Sequence, residues 1–189
     1  MDVLEAIETR RSIFKFKPEP IEKAPLERIL SYGIWAPNHH VTEPWRFIVL
    51  GEKVREALAE RYAEIQMAKA PEGSPEDRLE IMREAGKRKF LSKPTIVAVS
   101  CIQEGDEQRR REDYAAACCA VHNIQLAAWS EGAGVQWSTG PITLEGKTAE
   151  LLGVDTDSEY MVGFLYMGYP EEVPTQRRKS PKEVIRWTE

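Results

Sequence analysis

The chain has 189 residues, of which 42% are hydrophobic and 30% charged, with a formal net charge of −5. This length fits one domain spanning residues 1–189, able to bury roughly 70% of its unfolded surface. An acidic chain lacks the broad basic face that nucleic-acid backbones demand, and no apolar run approaches the roughly 20 residues of a membrane span.

The first residues, Met1-Asp2-Val3-Leu4-Glu5, are acidic and amphipathic, unlike a secretory signal, so a cytoplasmic protein is expected. The three cysteines, Cys101, Cys118 and Cys119, form neither a disulfide framework nor a CxxC site. Neighbours on a helix point about 100° apart, so Cys118 and Cys119 cannot bridge each other. Buried free thiols in a reducing compartment are expected. Arg10-Arg11, Lys87-Arg88-Lys89 and Arg177-Arg178-Lys179 stand out as basic islands, which suit a small anion better than a polymer. The island around Arg88 reads as solvated surface.

In chain order, Asp2 can cap a first helix with Val3, Leu4 and Ile7 as its apolar stripe, ending near residues 10–12. Residues 13–20 read as extended. Leu26, Ile29, Leu30 and Ile34 recur at helical spacing before Pro37 stops a second helix. Residues 45–50 form a strand, followed by a charged helix over 52–68, a surface loop over 69–77 and another charged helix over about 75–90. The near-continuous apolar run 95–100 predicts a strand buried on both faces. Residues 104–113 read as a charged loop. The stretch 114–129 is small or apolar almost all round, which predicts a buried central helix with His122 as a core histidine and close packing of the subunit-contact kind. Strands follow at 135–138 and 160–167, then a tail with a short segment at 184–187. Few strands and long helices predict an α+β fold, a three-layer α/β/α sandwich whose strand order and direction the pattern leaves open.

Two separated clusters carry chemistry. Arg10 and Ser12 can offer a guanidinium fork and a hydroxyl to a phosphate monoester, and Arg177-Arg178 can close on the same anion. The other reading is a basic helix C-terminus complementing its own dipole. The loop Pro37-Asn38-His39-His40 up to Pro44-Trp45-Arg46 sits before a strand, where binding groups are commonly presented, and Asn38 offers donor and acceptor to a heterocycle edge. Adjacent loop histidines diverge and bring no ligand spacing, so no metal is expected. Gly134-Val135-Gln136-Trp137-Ser138-Thr139-Gly140 is either a binding element with a flat apolar wall or a helix-to-strand turn with a core tryptophan. No GxGxxG, Walker or GxSxG pattern occurs.

With Arg10-Arg11-Ser12, the Ala36-to-Phe47 pattern Ala-Pro-x-x-x-x-x-x-Pro-Trp-Arg-Phe, the Ala-rich helix with its Gly-x-Gly exit and the run Val162 to Pro170 in this order, the chain resembles the nitroreductase family, in its short single-domain members. The resemblance implies a mixed central sheet flanked by helices and a homodimer with FMN at the subunit interface. It implies that Arg10, Arg11 and Ser12 hold the phosphate and ribityl end, with Arg178 as a late phosphate contact. Trp35, Asn38 and His39 would approach FMN at least partly from the partner subunit, and Trp137, Ser138 and Thr139 would line its other side. Residues 127–132 resemble a stretch linked to pyridine-nucleotide binding, and Lys15 is a candidate for the flavin's pyrimidine edge. The implied activity is ping-pong hydride transfer from NADH or NADPH through FMN to nitroaromatics, quinones or related acceptors, with no catalytic side chain of its own. Other readings keep FMN but change the outcome to reductive dehalogenation, flavin destruction or flavin binding without turnover.

Overall fold

A computed structural model describes residues 1–188. The apolar run that predicted a doubly buried strand becomes β2 (Thr95–Ile102), buried at every position but its last. β2 lies between β1 (Trp45–Val49) and β4 (Glu159–Gly168), and β3 (Gly134–Ser138) completes the order β1-β2-β4-β3. All three pairings are antiparallel, with Phe47 opposite Val99, Val97 opposite Leu165 and Val135 opposite Met167. A single parallel bridge from Ser12 to Val135 adds a mixed edge beyond β3.

Because strand side chains alternate, β2 and β4 feed two cores. Val97, Val99, Leu165 and Met167 face α2 (Lys23–Ser31) and α5 (Glu107–Ser130), where they meet Ile29, Ala117, Val121 and Ile124. Ile96, Ala98, Phe164 and Tyr166 face the other way, toward Leu58 of α3 (Glu52–Met67) and Phe90 of α4 (Glu76–Leu91). The result is the expected α+β sandwich of three layers. α1 (Val3–Thr9) is capped by the Asp2 carboxylate, which accepts from the Glu5 amide at 2.9 Å. Among the described residues no helix is long and apolar enough to cross a membrane.

The register of β2 on β4 slips between Val99 and Ser100, so Val162 is an extra residue beside Gly163. Gly163 has φ 150°, and a Cβ there would lie 2.5 Å from the Trp137 indole nitrogen and 2.7 Å from the Ser138 carbonyl oxygen. The bare backbone lets β3 close over β4 at this bulge.

Two expectations fail, and one helix goes unforeseen, for identifiable reasons. The charged segment 104–113 is a loop only to Asp106, whose side chain accepts from the Arg109 amide at 2.9 Å and starts α5 at Glu107. The charges sit on turns that project into solvent and are tied by pairs such as Arg111–Glu107 at 3.3 Å. α5 is also not buried all round: Ala115, Cys119 and His122 form an exposed stripe, so neither Cys119 nor His122 is a core residue of this chain. α6 (Gly146–Leu152) was unread because seven residues carry too little periodicity.

Candidate functional site

Residues 10–16 run extended, first beside β3, where the Ile13 amide donates to the Val135 carbonyl at 3.2 Å, then beside residues 169–171, where the Glu171 amide donates to the Lys15 carbonyl at 3.1 Å. This approach is close enough that a Cβ on Gly134 would lie 2.3 Å from the Ile13 side chain. At the start of the segment, Arg10 donates to the Gln125 side-chain oxygen on α5 at 3.3 Å. Arg11 donates to the Glu8 and Arg10 carbonyls, both at 2.8 Å, and so serves the C-terminus of α1. Partial burial, then the charges of Arg178 and Arg11, push the Arg10 guanidinium below its ordinary value. Burial and the Arg10 charge likewise push the His122 imidazole down. The charges of Arg11 and Arg178 therefore both act on Arg10, and the described residues give none of the three a carboxylate partner. Unneutralised like charges in a partly desolvated corner are the electrostatics of an anion site.

Four residues further along the strand-like segment, about 13 Å at strand rise, Phe14 reaches a cavity of about 480 Å³. Gln136, Ser138 and Gly140 line it from β3 and its exit, Tyr166 from β4, and Lys69, Lys89 and Lys93 from the helical side. Burial pushes the Tyr166 phenol up to about 12. Trp137 lies between Gln136 and Ser138 and faces the opposite side of the sheet, where its indole donates to the Val162 carbonyl at 3.1 Å. Thr139 is exposed at the strand exit. Lys15 points outward to Glu172, 2.8 Å away. The island around Arg88 is divided, since Lys87 pairs with Glu60 at 2.6 Å while Lys89 lines the cavity.

The third group stands apart from these two. His39 meets Glu112 near the start of α5 at 2.7 Å, whereas Arg10 meets Gln125 near its end. The two anchor points are about 20 Å apart along the helix axis. The loop between them and β1 is strained: His40, Val41 and Glu43 all have positive φ, at 57°, 53° and 44°. Such conformations cost on the order of 1–3 kcal/mol each and persist where surrounding contacts over-determine them. Here Asn38 accepts from the Glu43 amide at 3.0 Å, and Thr42 donates to buried Asp113 at 2.5 Å. His39 and His40 do not diverge but stack, ring centroids 3.9 Å apart. Trp35 is 79% exposed and shares an apolar concavity with Val3, Tyr32 and Leu126. Among the described residues, no group of three or more metal-ligating side chains converges.

Sequence reading missed Gln125 and Lys93. Lys93-Pro94 directly before buried β2 repeats the placement that singled out the Asn38 loop before β1, and that signal was available.

An α+β sandwich that gathers arginine charge at one edge and opens a lysine-rimmed cavity beyond it suits a small anionic ligand. The family model described as Nitroreductase family matches residues 7–169, and the chain belongs to that family. It is 32% identical over 176 residues to a Bacillus subtilis (strain 168) protein named "Putative NAD(P)H nitroreductase YfhC", covering 93% of this chain and 88% of that one. Among solved structures it is similar to a nitroreductase-like family protein from Bacillus cereus, with TM-score 0.83, 29% identity and coverage of 100% and 97% of the two chains. A nitroreductase with bound FMN from Bacteroides fragilis NCTC 9343 matches at TM-score 0.74 and 25% identity over 100% of both chains.

Proposed function

We propose that the protein is an FMN-dependent NAD(P)H oxidoreductase of nitroreductase type, a single-domain cytoplasmic homodimer. The observation that carries this reading is the meeting of Arg10, Arg11 and Arg178 at the head of a segment that ends in the cavity beside Phe14. The donor set fits the cofactor. A phosphate monoester supplies the charge that the three arginines lack, with Arg10 and Arg178 as direct ligands and the Ser12 hydroxyl beside them. Phe14 offers an apolar wall and Ser138 a hydroxyl to a planar ring system in the cavity. When bound, FMN supplies two-electron hydride relay from NADH or NADPH to a nitroaromatic, quinone or related acceptor. The chain's own residues bind, orient and polarise. One open face serving donor and acceptor in turn makes the turnover ping-pong.

Asn38 and His39 lie too far along α5 to close over the anion corner of their own chain, and Trp35, beside Leu126, is exposed to solvent, so those of a second copy complete the pocket. Exposed Val3, Leu4, Ile7 and Trp35, with the Ala115–Cys119–His122 stripe, supply an apolar face for that contact. Residues 127–132 border the same face. Sedimentation of the FMN-loaded protein is expected to give a dimer; an FMN-holding monomer would refute the shared pocket. In steady state, a panel of nitroaromatics and quinones is expected to be reduced with one or both nucleotides. An FMN-loaded protein inert toward the whole panel would point to flavin binding without turnover.

A further inference from the structure

Lys93 is placed unlike the other lysines of the cavity. Lys69 and Lys89 are exposed, whereas Lys93 is half-buried and donates to the Phe14 carbonyl at 3.0 Å. Its ammonium lies 5.4 Å from the Phe16 ring centroid and 5.6 Å from that of Tyr166, within the reach of cation–π attraction. Burial, then the nearby charge of Lys89, push its pKa below the usual lysine value. Among the described residues no carboxylate is paired with it, although the chain carries 31 acidic residues and pairs Lys15, Lys23 and Lys87 with them. A cation held at the rim of a cavity, partly desolvated and without a counter-charge, is complemented by a ligand that brings or acquires negative charge there.

We propose that Lys93, held on the Phe14 carbonyl, is the positioning cation that faces the pyrimidine half of the bound flavin and sets its reduction potential. The proposal rests on the FMN reading above. Hydride uptake adds two electrons and one proton to a neutral ring system and leaves one new negative charge on that half. Lys93 interacts more strongly with this charge than with the dipoles of the neutral oxidised ring, so it stabilises the reduced form selectively. Lys15, paired with Glu172 on the outer side of the segment, takes no part.

The test uses FMN-loaded Lys93→Gln, Lys93→Met, Lys93→Arg and Lys15→Gln proteins, with two readouts that require no turnover. One is the two-electron midpoint potential. The other is affinity for inorganic sulfite, which adds its electron pair to flavin N5 and leaves the same negative charge on the ring. Lys93→Gln and Lys93→Met are expected to weaken sulfite binding at least about tenfold and to lower the potential by about 30 mV or more, the two-electron equivalent of tenfold. Lys93→Arg should retain most of both, and Lys15→Gln all of both. Wild-type potential and sulfite affinity in FMN-loaded Lys93→Gln would overturn the proposal and leave the FMN reading intact. Failure of both neutral variants to fold would show a structural role and overturn it as well. A wild-type protein that takes up no FMN would overturn the functional reading itself, and the proposal with it.

Discussion

Gly163→Ala is expected to lower the unfolding free energy by about 3 kcal/mol or more, measured by urea denaturation. Two independent costs combine. The backbone at φ 150° lies in a region that residues with a Cβ rarely adopt, and the added carbon would stand 2.5 Å from the Trp137 indole nitrogen and 2.7 Å from the Ser138 carbonyl oxygen. The second neighbour is backbone and cannot swing aside. Relief requires β3 to lift from β4, which would break the indole-to-Val162 hydrogen bond at 3.1 Å and shift Ser138 at the cavity wall. Gly146→Ala is the control. It opens α6 with nothing within 4 Å of the added carbon, and its effect should stay within about 0.5 kcal/mol. Equal stabilities for the two variants would contradict the packing of β3 on the bulge.

Removing the anion corner should have the other large effect. Arg10→Ala is expected to weaken FMN affinity between about tenfold and a hundredfold, the worth of a charge-assisted hydrogen bond of about 1.5–3 kcal/mol. The fold should hold, because the guanidinium sits among like charges that already disfavour its charged form. Stability should therefore change by no more than about 0.5 kcal/mol. Arg178→Ala should act in the same direction, and the double variant should lose less than the product if both arginines grip one phosphate. Added salt should weaken wild-type binding more than that of the double variant. Titration of apoprotein with FMN, followed by flavin fluorescence, reads each of these. Unchanged affinity in Arg10→Ala would remove the phosphate role.

Much of the fold was legible because burial writes itself into periodicity. The unbroken apolar runs of β2 and β4, the stripe of α2 and the glycine stops at Gly51 and Gly132 are local signals. Segment 104–113 was misread because a helix projecting into water has no apolar face to show and reveals itself only through the cap at Asp106. The exposed stripe of α5 was misread for the opposite reason: small residues on an exposed face look the same in sequence as small residues facing a core. At the site, residue type and position singled out Arg10 and Ser12 as candidates. Arg178 was named by resemblance alone; in the fold its side chain is exposed and its charge acts on Arg10. The resemblance set Trp137, Ser138 and Thr139 together along one side of the flavin, but strand alternation sends Trp137 to the opposite face and leaves Ser138 on the cavity side. Lys93 could be singled out by its place before β2, but its hydrogen bond to a residue 79 positions away is visible only in the fold.

The most direct measurement is anaerobic addition of NADH, and separately NADPH, to the FMN-loaded protein while the visible absorption of the flavin is recorded. Bleaching with at least one nucleotide at one equivalent per flavin, and recovery of the absorption when a quinone or nitroaromatic is added, is the predicted result. Stoichiometric FMN that neither nucleotide bleaches would contradict the account.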